Sequence, residues 1–110
     1  MQAGDFKGLV QAAIDNDLAQ VAYHLQEGLD PNYLHPEIMT NPLIEATRQG
    51  HVEVIEMLLE NGADPKVTSQ LGESAVTLAR ASSNSEVLRL LQTDHGYLSR
   101  FINFWKKSDS

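Results

Sequence analysis

Apolar and polar positions along residues 41–65 describe two short helices separated by a turn. Leu43, Ala46 and Thr47 recur at the spacing of a narrow inner stripe, Gly50 follows, and Val54, Ile55, Leu58 and Leu59 take the i, i+1, i+4, i+5 spacing of a second buried face. Asn41 is placed to cap the first helix and Pro42 to open it, where a missing N–H costs nothing. Gly62 ends the second helix as a left-handed cap, and Pro65 prevents a restart. Glu53, Glu56 and Glu60 fall on the side opposite the stripe, as a solvated helix face requires.

The pattern returns along the chain. Gly28-Leu29-Asp30-Pro31 and Gly62-Ala63-Asp64-Pro65 share Gly-x-Asp-Pro at an offset of 34, each with a leucine three residues before it. Asn41–Ala46 matches Ser74–Ala79, and Glu53-Val54-Ile55 matches Glu86-Val87-Leu88, at an offset of 33. Leu9, Ala12, Val21 and Leu25 correspond to Leu43, Ala46, Ile55 and Leu59, which makes three copies: 6–30, 31–64 and 65–92. A unit this small cannot bury its own apolar face, so recurrence predicts an all-α solenoid of stacked helix pairs in one domain.

The middle copy resembles the ankyrin repeat, whose form runs T-P-L-H-x-A-A-x-x-G-H, then a V/I/L-rich helix, then L-L-x-x-G-A-D-x-N. Asn41-Pro42-Leu43 stands for T-P-L, Gly50-His51 for G-H, and Leu58-Leu59-Glu60-Asn61-Gly62-Ala63-Asp64 for L-L-x-x-G-A-D. It departs at Ile44, where the family has His, and at Glu45 and Thr47. The third copy has Ser83-Asn84 in place of Gly-His, and the first lacks a hairpin ahead of it. The resemblance implies an ankyrin-type solenoid of helix-turn-helix repeats whose loops project as fingers beside a concave surface of first helices.

Beyond Leu91 the register is lost. Tyr97, Leu98, Phe101, Ile102 and Trp105 fall on one helical face of an out-of-register segment, 93–107. A terminal helix capping the open end of the stack is the first expectation there. A docking helix for a partner and a membrane-surface contact are the alternatives, the last weakened by only three basic residues, Arg100, Lys106 and Lys107.

Charge narrows the partner. The formal net charge of the 110 residues is −7, which argues against generic nucleic-acid binding. Residues 1–65 hold eleven acids against Lys7 and Arg48, a balance of −9, while 66–110 hold six bases and four acids, +2. Either the acids merely solvate outer helix faces, or they steer a partner with a basic surface onto the front half. With no cysteine, disulfides and thiolate metal sites are excluded. No run approaches the 18 or so apolar residues of a membrane span, and a cytoplasmic location is expected.

Catalytic signals are missing. There is no G-x-S-x-G and no glycine-rich phosphate loop. His51-Val52-Glu53 lacks the second histidine of a zinc helix and is better read as a turn histidine donating to nearby backbone. Asp15-Asn16-Asp17 lacks the glycine and distal glutamate of a calcium loop and reads as the first copy's turn. No enzyme, metal or cofactor is expected.

Binding is therefore sought on the loops. The first, 31–40, is one residue longer than the second and rich in apolar side chains: Tyr33, Leu34, Ile38 and Met39, with Glu37 among them. These cannot all turn inward, which suggests an exposed interaction patch. The alternative is that Tyr33 and Met39 pack between loops and leave only Leu34 or Ile38 exposed. The second loop contributes Leu71 beside Gln70 and Glu73, and on the resemblance Arg48 and Gln49 end their helix on the same concave side. Together these point to a non-enzymatic protein-binding module: an inhibitor, immunity protein or adaptor. The alternatives are an accessory subunit of an enzyme and a membrane-peripheral adaptor; homodimerisation is left open. The departures from the repeat, namely loop 31–40, Ile44 and the aromatic tail, are where the chain's own task is expected to be encoded.

Overall fold

The computed structural model describes residues 2–34 and 36–92. Among them lie six helices and no strand: α1 (Gln2–Asp15), α2 (Leu18–Gln26), α3 (Pro42–Gln49), α4 (Val52–Glu60), α5 (Ala75–Ser82) and α6 (Ser85–Gln92). They pair as α1/α2, α3/α4 and α5/α6. The first members form an inner row in which α3 lies against both α1 and α5, while α4 backs α3 and touches α2 in an outer row. The expected terminal helix, 93–107, lies outside the described residues.

Polar side chains at the helix starts set the boundaries. Asp17 accepts from the backbone N–H of Gln20 at 3.2 Å, Asn41 from Ile44 at 2.9 Å, and Asn84 from Val87 at 3.2 Å. Ser74 and Thr77 cap α5 reciprocally, each side chain bonding the other's backbone N–H. Inner and outer helices are then joined through a residue in the left-handed region: Asn16 at φ 60°, Gly50 at φ 76° and Ser83 at φ 59°. Only the middle copy uses glycine, the residue that adopts this region without a Cβ penalty, so the degenerate outer copies keep the turn at some cost in strain.

The core runs through the whole stack. Leu9, Val21, Leu43, Val54, Ile55, Leu58 and Val87 are buried in one continuous cluster, and each of the three pairs contributes to it. Ile44, singled out above as a departure, is also buried, at 1% exposure. It is a buried residue rather than a displayed one. Thr47, a second departure, is buried as well, and its hydroxyl finds no hydrogen-bond partner among the described residues.

Polar contacts tie together parts of the stack that are distant in sequence. His51 donates from Nε2 to the Ile14 carbonyl at 2.9 Å; a carbonyl only accepts, so the proton sits on Nε2. The turn histidine thus reaches across to the preceding copy, whereas Asp17 and Asn84 serve their own helices. Asn32 makes the second tie, donating from Nδ2 to the Gly62 carbonyl at 3.0 Å and accepting at Oδ1 from the Asp64 N–H at 2.7 Å. One carboxamide satisfies two backbone groups of the next loop's base.

Two substitutions test this arrangement by urea denaturation. Asn32→Ala leaves both backbone groups without that partner and is expected to cost about 1–2 kcal/mol. Thr47→Val removes a buried hydroxyl without a bond and is expected to be neutral or stabilising by about 1 kcal/mol. A marked loss from Thr47→Val would show that the hydroxyl has a partner.

Candidate functional site

The two inter-copy loops differ in how they fix their tips. In the second, Ser69 is buried and organises the turn around it. Its N–H donates to the Glu73 carbonyl at 2.7 Å, its carbonyl accepts from Gly72 at 2.9 Å, and its Oγ accepts from the N–H groups of Leu71 at 3.1 Å and Glu73 at 3.3 Å. Gly72 takes φ 82°. This leaves Leu71 at the apex, 70% exposed, on a turn held by four hydrogen bonds.

In the first loop the offset of 33 puts Pro36 where Ser69 stands and Met39 where Gly72 stands. Proline has neither the N–H nor the hydroxyl that pins the second turn. Ile38, the counterpart of Leu71, instead folds down against the core. Met39 nevertheless keeps the left-handed conformation, φ 53°, and is 36% exposed. Tyr33 is 44% exposed and rests edge-on against the buried ring of Phe6, centroids 5.1 Å apart at 82°. Leu34 is half-buried.

The apolar loop therefore divides in the sense opposite to the alternative considered above. Tyr33 and Met39 face out, while Leu34 and Ile38 are withdrawn. Ile38 belongs to the packing and drops out as a displayed contact; among the described loop residues the exposed large hydrophobic side chains are Tyr33, Met39 and Leu71. Gln49 and Gln70 are exposed as expected.

Charged candidates turn out to hold the loops. Glu37 accepts from Lys7 Nζ at 2.6 Å. Arg48 lies between two carboxylates. It reaches Glu73 through Nη2 at 2.7 Å and Nη1 at 3.3 Å, and Glu45 through Nε at 3.2 Å and Nη2 at 3.3 Å. Glu45 also accepts from Thr40 Oγ1 at 2.8 Å. Thr40, Glu45, Arg48 and Glu73 thus link the first loop to the second across the end of α3. Sequence reasoning named Arg48 and Glu73 as contacts for a partner and passed over Glu45 and Thr40. The i,i+3 spacing of Glu45 and Arg48 was the readable signal of half of this link.

Hydrogen bonds to Arg48 hold the Glu73 carboxyl below the ordinary glutamate value, against a smaller desolvation effect and with the charge of Arg48 adding to the lowering. The same bonds, with Glu73 first and Glu45 second, push Arg48 up from its ordinary value. Paired forks of this kind are geometrically specific, although partial exposure limits what each contributes to stability.

Among the described residues no cluster of His, Asp or Glu could hold a metal ion, and no helix is long and apolar enough to cross a membrane. What the geometry offers is exposed apolar side chains on hydrogen-bonded loops.

A family model of ankyrin repeats in three copies matches residues 9–100. The chain belongs to the ankyrin-repeat family. Ankyrin repeats are in general non-catalytic modules of protein–protein interaction. Similar proteins include a palmitoyltransferase AKR1 of Lachancea kluyveri, 40% identical over 77 residues that make up 70% of this chain and 10% of the relative. The ARF GTPase-activating protein Git of Drosophila melanogaster is 37% identical over 81 residues, 73% of this chain and 11% of the relative. The human palmitoyltransferase ZDHHC13 is 37% identical over 68 residues, 62% and 11% respectively. The chain spans about a tenth of the length of these relatives.

Two measurements check the loop geometry. Because Glu73 is lowered in the folded chain, its ion pair stabilises the fold above the ordinary glutamate value and is lost as pH falls through the lowered one. The stability gap between wild type and Glu73→Gln is expected to stay level near about pH 7 and close by about pH 2; a gap unchanged at the acid end would mean that the pair does not stabilise the ankyrin stack. Met39→Gly relieves a left-handed methionine and is expected to raise stability by about 1 kcal/mol, read from the urea midpoint.

Proposed function

We propose that this chain is a protein-binding module that occupies a partner protein's surface as an inhibitor, immunity protein or adaptor. Its contacts are the exposed loop side chains Tyr33, Met39, Gln70 and Leu71, with Gln49 at the end of the inner helix. One observation carries this reading: Leu71 stands 70% exposed on a turn fixed by a buried serine. A large apolar side chain displayed by a preorganised turn enters an interface at small entropic cost. The clasps below it, Lys7–Glu37 and Arg48–Glu73, give Glu37, Arg48 and Glu73 a supporting part at its rim. The acidic front half adds long-range attraction for a protein with a basic surface, which acts on association rate.

A second reading is favoured by the relatives, which are named as palmitoyltransferases and a GTPase-activating protein. In it the module serves an enzyme as an accessory part, bringing a protein to an active site built elsewhere.

An affinity pull-down with the wild-type chain beside Leu71→Asp tests the first reading. Wild type is expected to retain a stoichiometric partner that the variant loses, with the two urea midpoints equal to within about 0.5 kcal/mol. Loss of stability together with binding would make Leu71 structural and remove the basis of the proposal. Assaying the captured partner separates the two readings: occlusion lowers its activity, and service to an enzyme raises it.

A further inference from the structure

The apolar tips and the acidic excess occupy different parts of the fold. Lys7 and Arg48 are the only lysine or arginine residues in positions 1–65. Both are placed on acids that flank a tip: Lys7 on Glu37, two residues from Met39, and Arg48 on Glu73, two residues from Leu71. The other loop acids fold onto their own backbone. Asp30 accepts from the Asn32 N–H and Asp64 from the Lys66 N–H, each at 2.9 Å. The remaining exposed acids of the front half stand elsewhere, with Asp15 and Asp17 at the α1–α2 turn, Glu27 at the end of α2, and Glu53 and Glu60 on α4. Composition suggested one acidic surface; in the fold the acids beside the tips, Glu37, Glu45 and Glu73, are paired with the two front-half cations, and the other exposed acids stand away from the tips.

Met39 adds an independent sign. The next loop solves the same backbone problem with Gly72, whereas the first loop keeps a methionine at φ 53° with its side chain displayed. Strain of this kind is tolerated where the side chain has a use that glycine cannot serve.

We infer that the two tips take an apolar, uncharged segment of another protein, contacted by Met39 and Leu71, and that the acidic excess takes no part in this contact. The inference rests on the reading of the chain as a protein-binding module and names the chemistry of its partner. Lys7–Glu37 and the Glu45–Arg48–Glu73 cluster form a polar rim in which each charge is already bonded. A charged partner side chain brought there has to compete with these pairs for its bonds, while an apolar one leaves them intact. A second copy of this chain is the poorer occupant, because each copy carries a net charge of −7 and repels its like.

The test is selection of a displayed library of random peptides against the full chain. Enriched peptides are expected to be apolar with net charge near zero, and their affinity to change by less than about twofold between low and high salt. Leu71→Asp should weaken them at least about tenfold and Met39→Gly about threefold, with both variants keeping cooperative melting. The combined Glu53→Gln, Glu56→Gln, Glu60→Gln variant should bind them as wild type does. Enrichment of Lys- and Arg-rich peptides that salt and the triple variant release would overturn the inference while leaving the binding-module reading standing. A dimer in sedimentation that Leu71→Asp dissociates would also overturn it, in favour of self-association. Failure to enrich any peptide would count against both readings.

Discussion

Helix α3 is covered on one side by α1, on the other by α5, and from behind by α4. It is eight residues long, too short to hold as an isolated helix in water. Its stability is borrowed from these neighbours through Leu43 and Ala46, both buried in the shared core, with Asn41 closing its first turn. The outer pairs depend on it in turn, since the apolar face of each single pair would otherwise be wet. His51 adds a polar tie between the first and second copies and Asn32 one between the bases of the two loops, and these fix the register of neighbouring elements rather than supply the driving force.

Because α3 is rigidly seated, its exposed end can act as an anchor. Glu45 and Arg48 project from it toward opposite loops, one taking Thr40 and the other Glu73. The tips are therefore positioned by the inner row and not only by their own turns. This is how a stack of very short helices can present a defined surface: burial fixes the backbone, and paired charges carry that order outward to the loops. Once those pairs have formed, a few apolar side chains are left exposed on the loops.

The repeated architecture was legible because its signals are local. Asn41-Pro42, the glycines Gly28 and Gly62 after the first two outer helices and the two buried stripes each have a mechanism confined to a few neighbouring residues, and the structure bears them out. Contacts at long range were not legible. Ile38 and Leu71 are equivalent by alignment and similar in chemistry, yet one packs and the other is displayed, because Pro36 lacks the groups with which Ser69 ties its turn. Ile44 was marked as distinctive because it departs from the ankyrin pattern, and it proved to be a buried residue. Arg48 looked like a free cation for a partner until Glu73, 25 residues away, was found on it. Net charge was read correctly as a sum; its placement, with both front-half cations drawn to the tips, required the fold.

The account stands or falls on whether the loop tips, rather than the acids of α4, meet the partner. Amide hydrogen exchange of the chain, free and saturated with a bound protein or selected peptide, measures this directly. New protection is predicted at residues 36–40 and 69–73, with α4 exchanging as in the free chain. Protection that appears along α4 and spares both loops would contradict it.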